Sequence, residues 1–468
     1  MPRLSVDELL ECAASVANLA MLRTYAEPSP IQIAAINEYT PLLESKLATL
    51  PPHDTSTRGR IQAQLDIHRS ILALIRRLPK ELLIEIFFLL AYESPLRTLH
   101  VAATIARVCT FWREVAHGLT RFWTKVVVKS VREFDQYCEL FLPLTREKLP
   151  DLRCDDRKVL SSLWDRIEPY ASCWRSISLE GRLSMLPDLK VLYMENLERL
   201  VVDAYDAPIS TEFSVLDFVV APRLRHVGLT LDAVQSVRQL HIPVTRALTS
   251  LEITTESPFP VTLVIPLLQE CVDTLYSLTI RIRYPLEGPE GSYPTSPSHT
   301  FGMKSLTLLS LVDPACALLN HITAPRIKLL ILSNVPTYGT RSLQGFLTRS
   351  QDPPTLLDFR VYIPEEREPS AWIPCLQYMD SLRDLHFDAM LSNAEFLERI
   401  VLHSDRPSLL PSLAWINMSR IFMDHEELRP IIFQISRSRR KRIVLEDGRT
   451  AWQVLGWFQE ALVENTLD

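Results

Sequence analysis

Helical spacing of apolar residues dominates the first part of the chain. Residues 4–24, 31–50 and 60–75 each place apolar groups at steps of three and four positions. Prolines end the first pattern, and a turn-forming segment with two prolines separates the other two. We expect an N-terminal helical region over residues 1–76 that contains an antiparallel helical hairpin. A short coiled-coil dimer is the alternative, although the pattern holds fewer than three clean heptads.

The next segment carries more apolar surface than one helix face requires. From Leu78 the chain runs Leu-Pro-Lys-Glu-Leu-Leu-Ile-Glu-Ile-Phe-Phe-Leu-Leu, with Pro and Glu at positions suited to a helix start. Apolar side chains lie at almost every angle around this helix, whereas an amphipathic helix needs only one stripe. A second helix, predicted over residues 102–119, places Val108 and Trp112 on its apolar side. Because residues 77–126 cannot bury so much apolar surface alone, the rest of the chain or a partner must cover part of it.

A different period begins at residue 123. The pattern apolar-x-x-apolar-x-apolar recurs at steps of 23–31 residues from the second copy to the last. Its copies begin at Trp123, Trp174, Leu197, Leu224, Leu248, Leu275, Met303, Ile327, Leu356, Leu382, Leu413 and Arg440. The segments between copies are often helical in composition. A short strand plus a helix every 20–29 residues or so is a unit that buries its core only by stacking on its neighbours.

Composition and charge exclude several classes of protein. Apolar residues make up 47% of the 468 residues and charged residues 23%, an ordinary globular balance. The net charge of −6 gives no general attraction to nucleic acid or anionic membranes. The longest apolar run falls far short of the roughly 18–20 residues that a spanning helix needs. We expect an intracellular protein, cytoplasmic or nuclear, that binds neither nucleic acid nor membrane.

Motifs that would indicate catalysis are missing from the sequence. With 33 Pro and only 11 Gly, the chain has no glycine-rich phosphate loop, and it has neither a nucleophile elbow nor a zinc-protease motif. The eight cysteines lack zinc-ligand spacing and fit buried structural thiols. We expect a non-catalytic protein without catalytic residues, cofactor or metal.

The segment with excess apolar surface resembles a known family. Leu78-Pro79 before the apolar helix, Val108-Cys109-x-x-Trp112 and Phe122-Trp123 occur in the order found in the F-box, most like the F-box-like proteins of fungi. The resemblance implies binding to a Skp-family adaptor and, through it, to a cullin in a Skp–cullin–F-box (SCF) ubiquitin ligase. The residues that match the apolar signature, and that we expect to divide between adaptor contact and the core, are Leu78, Pro79, Leu82, Leu83, Ile86, Phe87, Val108 and Trp112.

Two positions depart from the family pattern. The connection from Leu90 to Val108 is long, and Phe111 stands where the family often has Arg. A purely structural role is the alternative for these helices, because a repeat array needs a covered end.

The resemblance also gives meaning to the repeats that follow. We expect an α/β chain with an all-α N-terminal region, an F-box-like domain at 77–126 and a leucine-rich-repeat-like array at 127–468. The position after each strand, which usually holds Asn or Cys in such repeats, holds Arg182, Tyr205 and other residues instead. The array should therefore form an irregular solenoid, or horseshoe.

Outward positions of the later repeats offer a surface for a target protein. Trp and Arg are the residue types most enriched among interface anchors. The candidate target-binding residues are Arg360, Arg383, Asp384, His386 and Trp415. For Trp415 the alternative is that its ring packs under the C-terminal segment.

Two functions follow from these observations. The first is a substrate receptor, in which the box binds the adaptor and the repeats bind a protein that enters the ubiquitin-conjugation pathway. The alternative is a protein-interaction scaffold outside any ligase, whose box-like helices only cap the array.

Overall fold

A computed structural model gives the architecture of the chain. It describes residues 5–24, 27–92, 98–146, 148–154, 156, 160–182, 189–205, 219–231, 247–256, 261–282, 300–335, 339–350, 356–362, 369–388, 395–401, 409–418, 425–438, 441–444, 450–453 and 456–458. The chain divides into two compact units, one formed by residues 1–128 and 132–153 and the other by residues 129–131 and 154–468.

The first unit is built mainly from helices. They are α1 (Val6–Val16), α2 (Leu19–Thr24), α3 (Pro30–Thr49), α4 (Thr55–Leu72), α5 (Lys80–Tyr92), α6 (Thr98–Val108), α7 (Thr110–Gly118) and α8 (Val131–Leu140), with strands β1 (Lys125–Val128) and β2 (Asp151–Cys154). Capping boxes at Ser5 and Ser29 satisfy the first amides of α1 and α3. The predicted helical hairpin corresponds to α3 and α4, and α1 packs with both helices around Leu43, Ile61 and Leu65.

The prediction of a single helix over residues 102–119 is wrong, because the structure has two helices there, α6 and α7. The backbone of Cys109 is extended, with φ −158° and ψ 172°, and its Sγ accepts the Trp112 N–H at 3.4 Å. Cys109 therefore caps α7. Val108, expected on the apolar side of one long helix, instead ends α6 with 58% of its surface exposed.

The second unit contains a large parallel sheet. Among its described residues, eleven strands lie side by side in the order in which they occur along the chain. They are β3 (Ser176–Arg182), β5 (Arg199–Tyr205), β7 (His226–Leu231), β8 (Ser250–Thr255), β9 (Ser277–Ile282), β11 (Leu308–Val312), β13 (Leu329–Ser333), β14 (Asp358–Tyr362), β15 (Asp384–Asp388), β16 (Trp415–Met418) and β19 (Gly456–Phe458). Each neighbouring pair is parallel.

Smaller elements complete this unit. Parallel pairs form between β4 (Leu192–Tyr193) and β6 (Val219–Val220) and between β10 (Phe301–Gly302) and β12 (Ile322–Thr323). An antiparallel pair forms between β17 (Lys441–Val444) and β18 (Thr450–Gln453). The helices are α9 (Leu160–Ile167), α10 (Ile265–Glu270), α11 (Gly339–Arg349), α12 (Ile373–Leu376), α13 (Glu395–Ile400) and α14 (His425–Ser438).

Most copies of the sequence pattern coincide with a sheet strand. In β5, for example, Leu200, Val202 and Ala204 are buried and the residues between them are not, which is the alternation of a strand with one covered face. The copy begun at Met303 is out of register, because Leu309 and Leu311 are the buried strand residues. The weak last copy at Arg440 also differs, since β17 pairs antiparallel with β18 and β19 continues the sheet instead.

Candidate functional site

Helix α5 divides its apolar residues between two faces. Leu83, Phe87 and Ala91, at steps of four, are buried in the core of the helical unit. Leu82 and Leu89, seven residues apart and thus on a common face, are 50% and 64% exposed. Beside them Leu90 is 46% exposed and Ile86 is half-buried. Leu82, Leu89 and Leu90 therefore form an exposed apolar stripe along α5, and the half-buried Ile86 borders the stripe while packing on the core.

The buried face of α5 contacts aromatic rings from the segments that follow it. Phe87 meets Trp112 edge to face with ring centroids 5.0 Å apart, and Phe88 meets Phe122 in the same way at 5.0 Å. The guanidinium of Arg121 lies 5.5 Å from the centre of the Phe88 ring. These contacts fix the rotation of α5 about its own axis, and with it the direction of the exposed stripe.

Buried hydrogen bonds hold the end of this segment. The Trp123 indole N–H donates to the Ala116 carbonyl at 3.0 Å, and the Tyr137 hydroxyl donates to the Trp123 carbonyl at 2.7 Å. The ring of Trp123 stacks on Phe141 at 5.1 Å. Burial is possible for Trp123 and Tyr137 because these bonds satisfy their polar atoms.

The eight residues predicted to belong to the box occupy different environments. Leu83 and Phe87 are buried. Leu78, Ile86 and Trp112 are half-buried and pack on the same core. Exposed positions are held by Pro79, Leu82 and Val108.

A cavity of about 550 Å³ opens beside the junction of α6 and α7. Val108, Cys109 and Trp112 line one side of it. Leu19 and Leu22 of α2 line another. The N-terminal helices thus border the same junction, a relation that the sequence pattern did not indicate.

The predicted target-binding residues form a group on three neighbouring strands of the second unit. In register, Asp384 lies beside Trp415, and Arg360 lies beside His386. The rings of His386 and Trp415 have centroids 4.5 Å apart. Arg383 comes directly before β15 and its side chain is exposed.

A carboxylate that the sequence interpretation missed completes this group. Arg360 Nη2 lies 2.7 Å from Asp358 Oδ2, and its Nε also donates to that carboxylate at 3.1 Å. Asp358 stands two positions before Arg360 in β14, which puts both side chains on one face of the strand. That spacing of two was visible in the sequence and could have identified the pair.

Burial and neighbouring charges shift the pKa of two residues in this group, Asp384 and His386. Burial raises the pKa of Asp384, and the nearby Asp358 carboxylate raises it further. For His386, burial lowers the pKa, and the positive charge of Arg360 adds to that effect. Both effects favour the neutral form of the His386 ring.

No group of three or more His, Cys, Asp or Glu side chains in the described ranges is placed to hold a metal ion. Nor does any helix in the described part of the chain combine the length and apolarity required to span a bilayer.

Comparison with known proteins bears on the helical segment. No curated protein matches this chain. The family model that does match is the F-box-like domain, over residues 75–129. This match covers α5, α6, α7 and β1, the segment with the exposed apolar stripe and the aromatic contacts described above. The resemblance that begins at Leu78-Pro79 is confirmed: residues 75–129 of this chain are an F-box-like domain.

Proposed function

We propose that this chain is the substrate-recognition subunit of an SCF-type ubiquitin ligase. F-box-like domains commonly bind Skp-family adaptors, which connect them to a cullin. In this role the chain is a receptor that performs no chemistry itself, as is general for F-box proteins. Such a complex acts inside the cell, in the cytoplasm or the nucleus.

The observation that carries the proposal is the exposed apolar stripe on α5. Leu82 and Leu89 lie on one helix face and leave half or more of their surface in solvent. Each buried methylene group is worth about 0.8 kcal/mol, so covering two leucines would contribute substantially to binding. The core of the same helix is complete without them, because Leu83 and Phe87 are fully buried. The stripe therefore supplies contact area that a partner can cover without disturbing the fold.

For the eight box residues, burial suggests a division of roles. We assign adaptor contact to Pro79, Leu82 and Val108, which are exposed. Leu83 and Phe87 hold the helices together. The half-buried residues Leu78, Ile86 and Trp112 pack on the core and present their remaining surface at the edge of the contact.

The second unit we interpret as an irregular leucine-rich-repeat solenoid. Parallel strands that follow one another in chain order are what a stacked repeat produces. The alternation of buried and outward residues in these strands fits a core shared between neighbouring repeats.

The outward patch on β14, β15 and β16 is our candidate surface for the target protein. Arg360, Asp384, His386 and Trp415 combine an aromatic ring with charges of both signs, and Arg383 adds an exposed cation beside them. Trp and Arg are frequent anchors of protein interfaces, so this group offers more binding energy than an ordinary polar surface.

Co-purification tests the adaptor contact. The double variant Leu82→Asp/Leu89→Asp should lose the Skp-family adaptor and the cullin, because it places two charges in an apolar contact. Leu140→Asp is the matched control, since Leu140 is 52% exposed in another helix of the same unit and should leave recovery unchanged. Circular dichroism of each variant checks the fold. If the wild-type chain recovers neither protein, the scaffold outside any ligase replaces this proposal.

A further inference from the structure

A shallow depression interrupts the outward face of the sheet in the second unit. It has a volume of about 220 Å³ and lies over β5, β7 and β8. Gly228, in the middle strand, is at its centre, with Val201 on one neighbouring strand and Glu252 on the other in the same register row. The missing side chain of Gly228 makes this depression.

A glycine at position 228 lowers the stability of the strand, so its lack of a side chain requires an explanation. Glycine within a strand lowers stability by about 0.5–1 kcal/mol relative to alanine, and it often marks a place where another molecule approaches the backbone closely. No positive φ requires glycine here, and an added Cβ would meet Val201 at an ordinary contact distance of 3.4 Å. Neither backbone geometry nor packing explains the residue, so we attribute it to the open space above it.

Charged side chains surround this space unevenly. Asp203 lines one end, two positions beyond Val201 along β5. Glu252 stands directly beside Gly228 and faces Arg281 at 3.8 Å, beyond hydrogen-bond length, with both side chains about half exposed. Arg199 lies four positions from Asp203, which is about 13 Å along the strand. The carboxylate of Asp203 thus belongs to one end of the depression and that of Glu252 to its middle row, while Arg199 and His226 belong to the other end.

Size and charge together limit what can bind. Pockets for drug-sized ligands measure about 300–1,000 Å³, so this smaller space suits a single side chain. A guanidinium or ammonium group above Gly228 would reach both Asp203 and Glu252, while Arg199 would repel it from the other end. A carboxylate would meet two like charges in the same position.

We propose that the depression over Gly228 binds an arginine or lysine side chain of a partner protein, held between the carboxylates of Asp203 and Glu252. That the partner is a ubiquitination target rests on the function proposed above. The binding itself does not, because it depends only on the depression and its charges.

Saturation-transfer NMR with the full-length chain tests the inference. The probes are acetyl-Gly-Arg-Gly-amide and, for comparison, acetyl-Gly-Glu-Gly-amide. The arginine peptide should receive magnetisation through its side-chain methylenes, and the glutamate peptide should not. Asp203→Asn should lower the affinity for the arginine peptide about two- to fivefold, the range expected when one exposed ion pair is lost.

Gly228→Val separates loss of the site from loss of the fold. Valine is favoured in strands and has no forbidden backbone geometry to adopt here, so the melting temperature should not fall while binding is lost. Thr279→Val is the matched control, since Thr279 occupies the same register row on β9 but lies outside the depression, and it should bind like wild type. Unchanged binding by Gly228→Val, or equal binding of the two peptides, would overturn the inference.

Adaptor recovery with the same variants keeps the two proposals apart. If Gly228→Val loses the arginine peptide but still recovers the adaptor, both proposals stand. Where the wild-type chain binds the arginine peptide but recovers no adaptor, the side-chain site stands and the ligase function fails.

Discussion

The ring of Phe87 meets the ring of Trp112 edge to face, with the two centroids 5.0 Å apart and the planes inclined by 61°. Phe87 is fully buried, whereas Trp112 is half-buried. This contact joins α5 to α7 through the core of the F-box-like domain. A change at Trp112 therefore acts on the fold of the domain, and a change at Leu82 acts on its surface.

Trp112→Ala should destabilise the F-box-like domain by about 2–3 kcal/mol. Fully buried Trp or Phe residues cost about 3–5 kcal/mol when truncated, and Trp112 keeps part of its surface in solvent. Native-state hydrogen exchange of the full-length chain should show faster exchange in α5 and α7, by about thirtyfold or more. Trp112→Phe keeps an aromatic partner for Phe87 and should change exchange little. Unaltered exchange in Trp112→Ala would contradict a core role for this ring.

The helices of the first unit were predictable because their signals are local. The apolar spacing and the position of Pro79 indicate α5 without any knowledge of tertiary structure. The break at Cys109 was not predictable from periodicity, because apolar residues continue at helical spacing across it. The pattern did not indicate that the Cys109 thiol accepts the Trp112 N–H and caps a new helix.

For the sheet, the sequence revealed the repeat period, but it did not always reveal which residues of a strand face the core. Near residue 306, leucines stand at so many positions that more than one frame satisfies the apolar pattern. Tertiary packing selects the frame with Leu309 and Leu311 buried, and leaves Leu308 half-buried. Local sequence cannot make that choice, since only the neighbouring strands β9 and β13 determine which face is covered.

Leu309→Ala and Leu308→Ala should differ clearly in their effect on stability. Leu309 is fully buried, so its truncation should lower the free energy of unfolding of the second unit by about 2–5 kcal/mol. Leu308 is half-buried, and its truncation should cost less than about 1 kcal/mol. Urea unfolding followed by tryptophan fluorescence measures both variants. Equal losses, or a larger loss for Leu308→Ala, would show that the strand register is wrong.

Outward side chains explain why the candidate sites were only partly predictable. The strand alternation placed Arg360 and His386 on one face correctly, since this depends on a period of two. The bidentate contact of Arg360 with Asp358 also lies within one strand. The depression over Gly228 requires knowing that Glu252, far along the chain, is its register neighbour.

Buried cysteines should resist alkylation in the folded chain. Burial raises the pKa of Cys271 and of Cys375 to about 12, so at pH 8 only about one thiol in ten thousand is ionised at either site. Iodoacetamide at pH 8 should modify only the partly exposed residues Cys12, Cys109 and Cys173. Mass spectrometry of peptides, with a guanidinium-unfolded sample in which all eight cysteines react, provides the measurement. Rapid modification of Cys271 without unfolding would be incompatible with its buried position.

Two histidines of the first unit connect its stability to pH. His68 is fully buried, 3.0 Å from the Thr40 hydroxyl, and burial lowers its pKa although the Ala13 carbonyl offsets part of the effect. Burial also lowers the pKa of His117, and the charge of Arg113 adds to this shift. The helix-capping carboxylate of Glu8 has a lowered pKa as well, because its hydrogen bonds with Ser5 favour the ionised form.

Acidification should therefore weaken the helical unit below pH 6.5, the ordinary value for histidine. Above that pH His68 is neutral in both the folded and the unfolded state, so it does not change the free energy of unfolding. Below it the unfolded chain takes up protons first, so stability falls until the pH passes the lowered pKa of the folded state. The thermal unfolding transition of the first unit, followed between pH 8 and pH 5, should show this decline, reduced in His68→Gln and nearly absent in His68→Gln/His117→Gln. His100→Gln changes an exposed histidine and should keep the full decline. A decline of equal size in the double variant would refute the assignment.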